Sequence, residues 1–342
     1  MVATRAEVAL RAKVSPAVVS YVTNPGGRSV SAAARARVEE AIAALGYRPN
    51  AIAQSLRRSS TKSIAFIVPT LRNPSIAAIE AAIETIAFSL GYTLFVATTT
   101  NDPDREERYL RRFVERKVDA IVIVGTLRPD LLTEIATRGL PVLALGTVDP
   151  GLGVSTVSLE CRESTAAVIR HLVEVHGHRR IACIGGPTNQ GYVRQRMDAW
   201  RDTLVAAELP CDETLIVRPH QVTRATGYDA AMTLLENAAP TAIFCVDETL
   251  AAGASSAIAE RGLRIPQDVA LATWVSSELV HSERFDLTSF DMRIETVAAT
   301  VMGRLAERMT RKSSPETHDL VPPVLTFRGS CGCGVAVNPE SR

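Results

Sequence analysis

The chain has 342 residues, 46% of them hydrophobic and 22% charged, with a formal net charge of +1, which describes a soluble globular protein of two or three units and excludes a disordered, collagenous or coiled-coil one. No run approaches the ~18 apolar residues of a membrane span. The opening MVATRAEVALRAKVS carries charges where a secretion signal needs an apolar core, so no membrane partner and a cytoplasmic location are expected. The six cysteines, Cys161, Cys183, Cys211, Cys245, Cys331 and Cys333, are too few and too dispersed for a disulfide framework and read as reduced thiols.

Residues 1–62 hold ten Lys or Arg against three acids, a net +7, which leaves the remainder at −6. A basic head on an acidic body suits a polyanion partner, because Lys and Arg that neutralise phosphates release condensed counterions. Charge alone fits a well-solvated helix bundle equally well. The first helix is predicted to start at the capping box Thr4-x-x-Glu7 and to run through Val8, Ala9 and Ala12, the reciprocal side-chain caps fixing its entry. Ser15-Pro16 supplies an N-cap and a first-turn proline for a second helix from Pro16 to about Val22. Ser31 caps a third, whose stripe Val38, Ala41, Ile42 and Leu45 ends at Gly46, a residue that adopts the left-handed stop without strain.

Taken in order, T-x-x-E-V-A, V-S, V-S, N, V-S, R-x-R-V, A-I and L-G-Y-R-P-N-A-I-A-Q-S-L resemble the head of the LacI/GalR family of bacterial transcription regulators. The resemblance implies that Pro16–Val22 is the recognition helix of a helix-turn-helix lying in the major groove. Thr4 and Ser15 would then offer hydroxyls and backbone N–H groups to phosphates, with Ser20 and Asn24 as further backbone contacts. The residues able to reach base edges are Pro16, Ala17 and Tyr21, so readout would rest on thymine methyls and one phenol. Lys13 stands where relatives usually have glycine, and a positive φ there costs on the order of 1 kcal/mol.

Tyr47-Arg48-Pro49-Asn50 interrupts the third helix, and Asn50 can cap the short segment AIAQSLRRS, too short to be stable alone. By resemblance this is a hinge helix that pairs with its dimer mate in the minor groove while Leu56 wedges into a base step. Ala53 is small enough for two such helices to approach, and Arg57 and Arg58 would contact phosphate. The bland alternative is an ordinary interdomain linker.

From Ser63 onward, β-branched apolar runs alternate with amphipathic helices, the pattern of parallel α/β sheets. Strands are predicted at 64–68, 93–98, 120–124, 142–145, 181–185, 242–246 and 269–273, with helices at 75–90, 105–116, 161–176, 191–207, 223–237 and 248–260. Such a length exceeds one core, so two Rossmann-like subdomains are expected. N-P-S-I, D-P-D-R-E-E-R-Y-L, H-G-H-R-R-I-A-C-I-G-G-P, R-M-D-A-W and G-L-R-I-P-Q-D-V-A extend the resemblance over almost the whole body. It implies lobes of periplasmic-binding-protein type joined by three crossing strands, the second near Leu287–Asp291 and the third near Val321–Pro323.

Ligands collect at the carboxyl ends of parallel strands, which nominates Pro69, Thr70, Asn73, Ser75, Thr126, Gln190, Arg196, Asp247, Trp274 and Ser276. Arg196 matches the family arginine that forks onto an effector hydroxyl or carboxylate, its alternative being a surface salt bridge. Ser75-Ile76 replaces an aromatic common in relatives, Asp247-Glu248 replaces Asn-Asp, and Trp274-Val275-Ser276 replaces Phe-Asp-Asp. The lost carboxylate removes an acceptor for sugar hydroxyls, and Trp274 is expected to offer a ring face instead.

No G-x-G-x-x-G, G-x-x-x-x-G-K-[ST] or G-x-S-x-G follows a strand, which argues against an enzyme. His171, His176 and His178 lack a Cys or acid at zinc spacing and read as turn and capping residues, while Cys331-Gly332-Cys333-Gly334 reads as an inert glycine-rich tail. No metal or cofactor is expected. The resulting organisation is a helix-turn-helix domain at 1–48, a hinge and linker at 49–62, an effector-binding and dimerisation domain of two discontinuous lobes at 63–330, and a tail at 331–342. One recognition helix reads about half a turn of duplex, so a homodimer on a near-palindromic operator in double-stranded DNA follows. The absence of a heptad repeat near the end makes a dimer the default. The expected function is that of a bacterial, nucleoid-associated repressor, governed by a small-molecule effector such as a sugar or related metabolite.

Overall fold

The structure, a computed structural model, describes residues 3–23, 29–48, 60–146, 153–187, 191–275, 286–310 and 315–334. Asn24, Asn50, Ala53, Leu56, Arg57, Arg58, Gln190 and Ser276 lie outside the described residues. The chain divides into two units, Met1–Lys62 and Ser63–Arg342.

In the first unit, α1 (Arg5–Arg11), α2 (Pro16–Thr23) and α3 (Ala32–Leu45) enclose a small core of Val8, Ala9, Ala12, Val19, Val38 and Ala41. Local chemistry sets each boundary. Thr4 Oγ1 accepts from Glu7 N–H, and Glu7 Oε2 accepts from Thr4 N–H at 2.7 Å, completing the capping box. Gly46, at φ +58, ends α3 in the left-handed conformation that glycine adopts without strain. The α1–α2 turn is made by Lys13 at φ +53. Arg37 Nε donates to the Ala12 carbonyl at 3.1 Å and ties α3 to that turn.

The second unit contains two six-stranded sheets. The first holds β1 (Ser63–Val68), β2 (Thr93–Thr98), β3 (Ala120–Val124), β4 (Val142–Leu145), β5 (Ser155–Leu159) and β11 (His318–Val321), in the order β11-β5-β4-β3-β1-β2 and parallel throughout. The second holds β6 (Ile181–Ile184), β7 (Ile216–Val217), β8 (Ala242–Cys245), β9 (Ala270–Val275), β10 (Thr288–Asp291) and β12 (Val324–Thr326), in the order β12-β10-β9-β8-β6-β7. Only β12 in this sheet runs antiparallel to its neighbour.

Every residue of β1 is buried. Ile64, Phe66 and Val68 pack on one face and Ala65 and Ile67 on the other, as the period of two requires of a strand covered on both sides. The covering helices of the first sheet are α4 (Pro74–Ser89), α5 (Pro103–Glu115), α6 (Pro129–Thr137) and α11 (Ile294–Thr310). Those of the second are α7 (Arg162–Glu174), α8 (Gly191–Ala206), α9 (Arg224–Asn237) and α10 (Glu248–Glu260). The chain passes between lobes after β5, after β10 and after β11. Thr288–Asp291 therefore belongs to the second sheet, and the second crossing is the short Met292-Arg293 segment that follows it rather than the strand itself.

Candidate DNA-reading head and effector cleft

On α2 the exposed Pro16 and Ala17 and the half-buried Ser20 and Tyr21 share one helical face, since their spacing closes one turn. Val19 is wholly buried against the other two helices. Ser15 is exposed, and its carbonyl accepts from Val18 N–H at 3.0 Å. Thr4 is engaged in its own helix cap. Its N–H and its hydroxyl are both engaged by the Glu7 carboxylate, at 2.7 and 3.0 Å, so the groups expected to meet phosphate already satisfy the helix cap. The Thr4 bonds also hold the Glu7 carboxyl below the usual carboxylate range.

The cleft of the second unit lies at the carboxyl ends of β1, β3, β4, β8 and β9. Thr70, Asn73 and Thr126 line it from the first lobe, together with Ser75 and Pro69, while Arg196, Asp247 and Trp274 line it from the second. Polar groups from the two lobes meet directly. Asn73 Nδ2 donates to Asp247 Oδ2 at 3.1 Å, and the Ser75 hydroxyl donates to Glu248 Oε1 at 2.9 Å. Each partner also caps a helix facing the crevice: Asn73 Oδ1 accepts from Ser75 and Ile76 N–H at the start of α4, and Asp247 Oδ1 accepts from Thr249 N–H at the start of α10. Asn73 with Asp247 and Ser75 with Glu248 thus form a clasp between the lobes, inside the cleft where Asn73, Ser75 and Asp247 are expected.

Arg196 is 4% exposed. Its guanidinium lies 3.8 Å from the Trp274 ring centroid and 4.8 Å from that of Tyr192, and one terminal nitrogen donates to the Val246 carbonyl at 2.7 Å. Its Nε is buried with no hydrogen-bond partner among the described residues. The surface salt bridge is therefore not its role. Burial pushes the Tyr192 phenol well above its ordinary value.

Trp274 corrects a second expectation. It is 1% exposed, Phe290 stacks on it at 4.2 Å, Arg196 covers it, and its indole N–H donates to the Thr165 hydroxyl at 3.1 Å. No ring face remains for a ligand, and the indole instead orients the arginine. Thr126 is also engaged, donating to Glu106 Oε1 at 2.6 Å, while Glu106 accepts from the N–H groups of Leu127 and Arg128. Thr70 Oγ1 accepts from Arg72 N–H at 3.0 Å.

Sequence reasoning missed Tyr192, Glu106, Cys161 and Met292, all of which line the crevice. Tyr192 was findable, because it stands four residues before Arg196 on one helix face. Glu106 was not, since an acid in a first helical turn is ordinarily solvated.

The histidines and the C-x-C, read separately in sequence, come together in the fold. His171, His176, Cys331 and Cys333 bring four ligand atoms within 4.8 Å of one another, so the thiols missing near the histidines in sequence are supplied from the far end of the chain.

A helix-turn-helix head, joined in one chain to two parallel-sheet lobes around a polar crevice, defines a ligand-responsive DNA-binding protein. Residues 4–50 match the bacterial regulatory proteins of the lacI family, and residues 61–316 match the periplasmic binding proteins and sugar binding domain of the LacI family. The chain is 28% identical over 331 residues to catabolite control protein A of Staphylococcus xylosus, covering 96% of this chain and 99% of that one. It is 30% identical over 318 residues to the transcriptional repressor PurR of Haemophilus influenzae, covering 91% and 92%. Its fold matches the Lac repressor dimer bound to operator and the anti-inducer ONPF with a TM-score of 0.86 at 26% identity, covering 97% and 99%. The chain belongs to the LacI family of bacterial regulatory proteins. It is a DNA-binding transcriptional regulator of the effector-controlled type, not an enzyme. Among the described residues no helix is long and apolar enough to cross a membrane.

Proposed function

We propose that the chain represses transcription as a homodimer on a near-palindromic operator, with α2 in the major groove and Pro16, Ala17 and Tyr21 facing the bases. Residues 1–48 form the reading head, 49–62 the hinge, and 63–330 the effector and dimerisation body, in a protein of the bacterial cytoplasm associated with the nucleoid. The Lac repressor dimer on its operator supports this arrangement, because a two-fold protein matches a two-fold site.

The effector seats against Arg196. The observation that carries this reading is the buried, unpartnered Nε of that residue, because an unsatisfied donor in a dry site costs about 1–3 kcal/mol until a ligand fills it. A small metabolite bearing a carboxylate or paired hydroxyls supplies the acceptor. The clasp of Asn73 with Asp247 and Ser75 with Glu248 then sets how the lobes close around it, and DNA affinity follows by linkage.

Selection from a random duplex pool by the purified full-length protein tests the reading. A near-palindrome with a flexible pyrimidine–purine step at its centre is the expected product. An asymmetric site, or none with or without added sugars and carboxylates, would count against it.

A further inference from the structure

The turn at Gly329–Cys331 is clamped to the second sheet. The Ser330 hydroxyl donates to the Leu271 carbonyl at 2.6 Å and accepts from Thr288 N–H at 2.8 Å, and Gly329 N–H donates to Asp286 Oδ2 at 2.7 Å. Gly332, at φ +102, then turns the chain so that Cys333 joins Cys331 at one cluster. A Cβ at position 332 would lie 3.1 Å from His176 Nδ1. The residue between the two thiols is therefore held to glycine by its backbone and by the imidazole packed on it.

The imidazoles come from the other side. His171 lies in the last turn of α7 with Phe327 stacked on it at 3.6 Å, and the His176 ring stands edge-on 4.8 Å away. The two Nε2 atoms are 3.1 Å apart. Cys333 Sγ is 3.2 Å from His171 Nε2 and 3.4 Å from His176 Nε2, while Cys331 Sγ is 3.6 Å from His171 Nε2. A tetrahedron with metal–nitrogen bonds of about 2.0 Å and metal–sulfur bonds of about 2.3 Å has N–N edges of about 3.3 Å and N–S edges of about 3.5 Å. The measured separations fall within about 0.3 Å of those edges. Two thiols and two imidazoles form a donor set that suits zinc among the common divalent ions.

We propose that His171, His176, Cys331 and Cys333 form a Cys2His2 site for zinc. Both thiols release their protons when the ion binds, and four protein ligands leave no open position, so the ion is structural. It staples the C-terminal turn to the end of α7. The same helix carries Thr165, whose hydroxyl accepts from the Trp274 indole, so the staple steadies the element that holds the cleft tryptophan.

The test uses the purified full-length chain loaded with Zn2+ or Co2+. About one equivalent of zinc per chain is expected to survive desalting. The cobalt form should show the visible bands of a tetrahedral site and a near-ultraviolet thiolate-to-cobalt band. C333S and H176Q should each weaken zinc binding at least about a hundredfold, while C211S, which alters a thiol outside the cluster, should leave it unchanged. Far-ultraviolet circular dichroism identifies any variant that fails to fold, and the wild-type cobalt spectrum then decides. Zinc lost on desalting, zinc held equally by folded C333S and H176Q, or a cobalt spectrum without the thiolate band would overturn the assignment.

Discussion

Arg196 shows how little of a residue's role its sequence position conveys. Family resemblance pointed to it, but its placement is set by the tertiary environment: the Trp274 and Tyr192 rings hold the guanidinium, and the Val246 carbonyl accepts a hydrogen bond from one of its terminal nitrogens. Arg196→Ala should abolish the effector's change in operator affinity while unliganded operator binding stays within about twofold. Fluorescence anisotropy with and without effector separates the two, and a retained response would remove Arg196 from the site. Lys13 illustrates the reverse case, a strained backbone legible from a glycine position in relatives and observed at φ +53. Lys13→Gly should stabilise the helical head by about 0.5 kcal/mol, because glycine carries no left-handed penalty. A lowered thermal midpoint for that variant would contradict the strain.

Among the elements, most helices and the strands with continuous apolar runs were readable, while strands carrying buried polar residues were not. Asp102 capping α5 and Asn73 capping α4 start their helices one or two residues earlier than periodicity suggested. β5 escaped notice because Ser155 and Thr156 are buried polar residues whose strand character rests on β4 and β11. The helix Ile294–Thr310 was unassigned although Ile294, Val297, Val301, Met302 and Leu305 recur at helical spacing.

Two elements make tests of their own. Helices α9 and α10 approach so closely that a Cβ on Gly253 would run into the Arg224 carbonyl. Gly253→Ala should therefore destabilise the body by about 3 kcal/mol in urea unfolding, despite alanine's better helix propensity. Arg304 joins α11 to β11 through two bonds to Asp319, of 2.8 and 2.7 Å, and these hold the Asp319 carboxyl below its ordinary range. A depressed carboxyl stabilises the fold above its unfolded pKa of about 3.9, and that stability is lost as pH falls through the folded value. Asp319→Asn should cost about 1 kcal/mol at neutral pH. The gap to wild type should hold between pH 7 and about pH 5 and close below about pH 4; a gap independent of pH would exclude the ion pair as its source.

For the molecule as a whole, the proposed control makes effector binding and operator binding two ends of one equilibrium. Whatever factor the effector imposes on operator affinity, operator must impose on effector affinity. Titrating effector into free and operator-bound protein measures one factor, and titrating operator with and without effector measures the other; unequal factors would exclude a single linked equilibrium. Ser75→Ala removes one clasp bond to Glu248 and should shift both factors together, by about two- to tenfold.

What the order of residues settled directly was local: the capping box at Thr4, the left-handed stop at Gly46, the β-branched runs and the head motif each lie within a few residues of one another. Those signals sufficed for the α/β class, the helix-turn-helix and the family, because caps, turns and periodicity are short-range physics. The clasp, the sealed Trp274 and the thiol–imidazole cluster needed the folded chain. His171 and Cys331 are 160 positions apart, Asn73 and Asp247 are 174 apart, and such groups meet only because two sheets and three crossings bring them together.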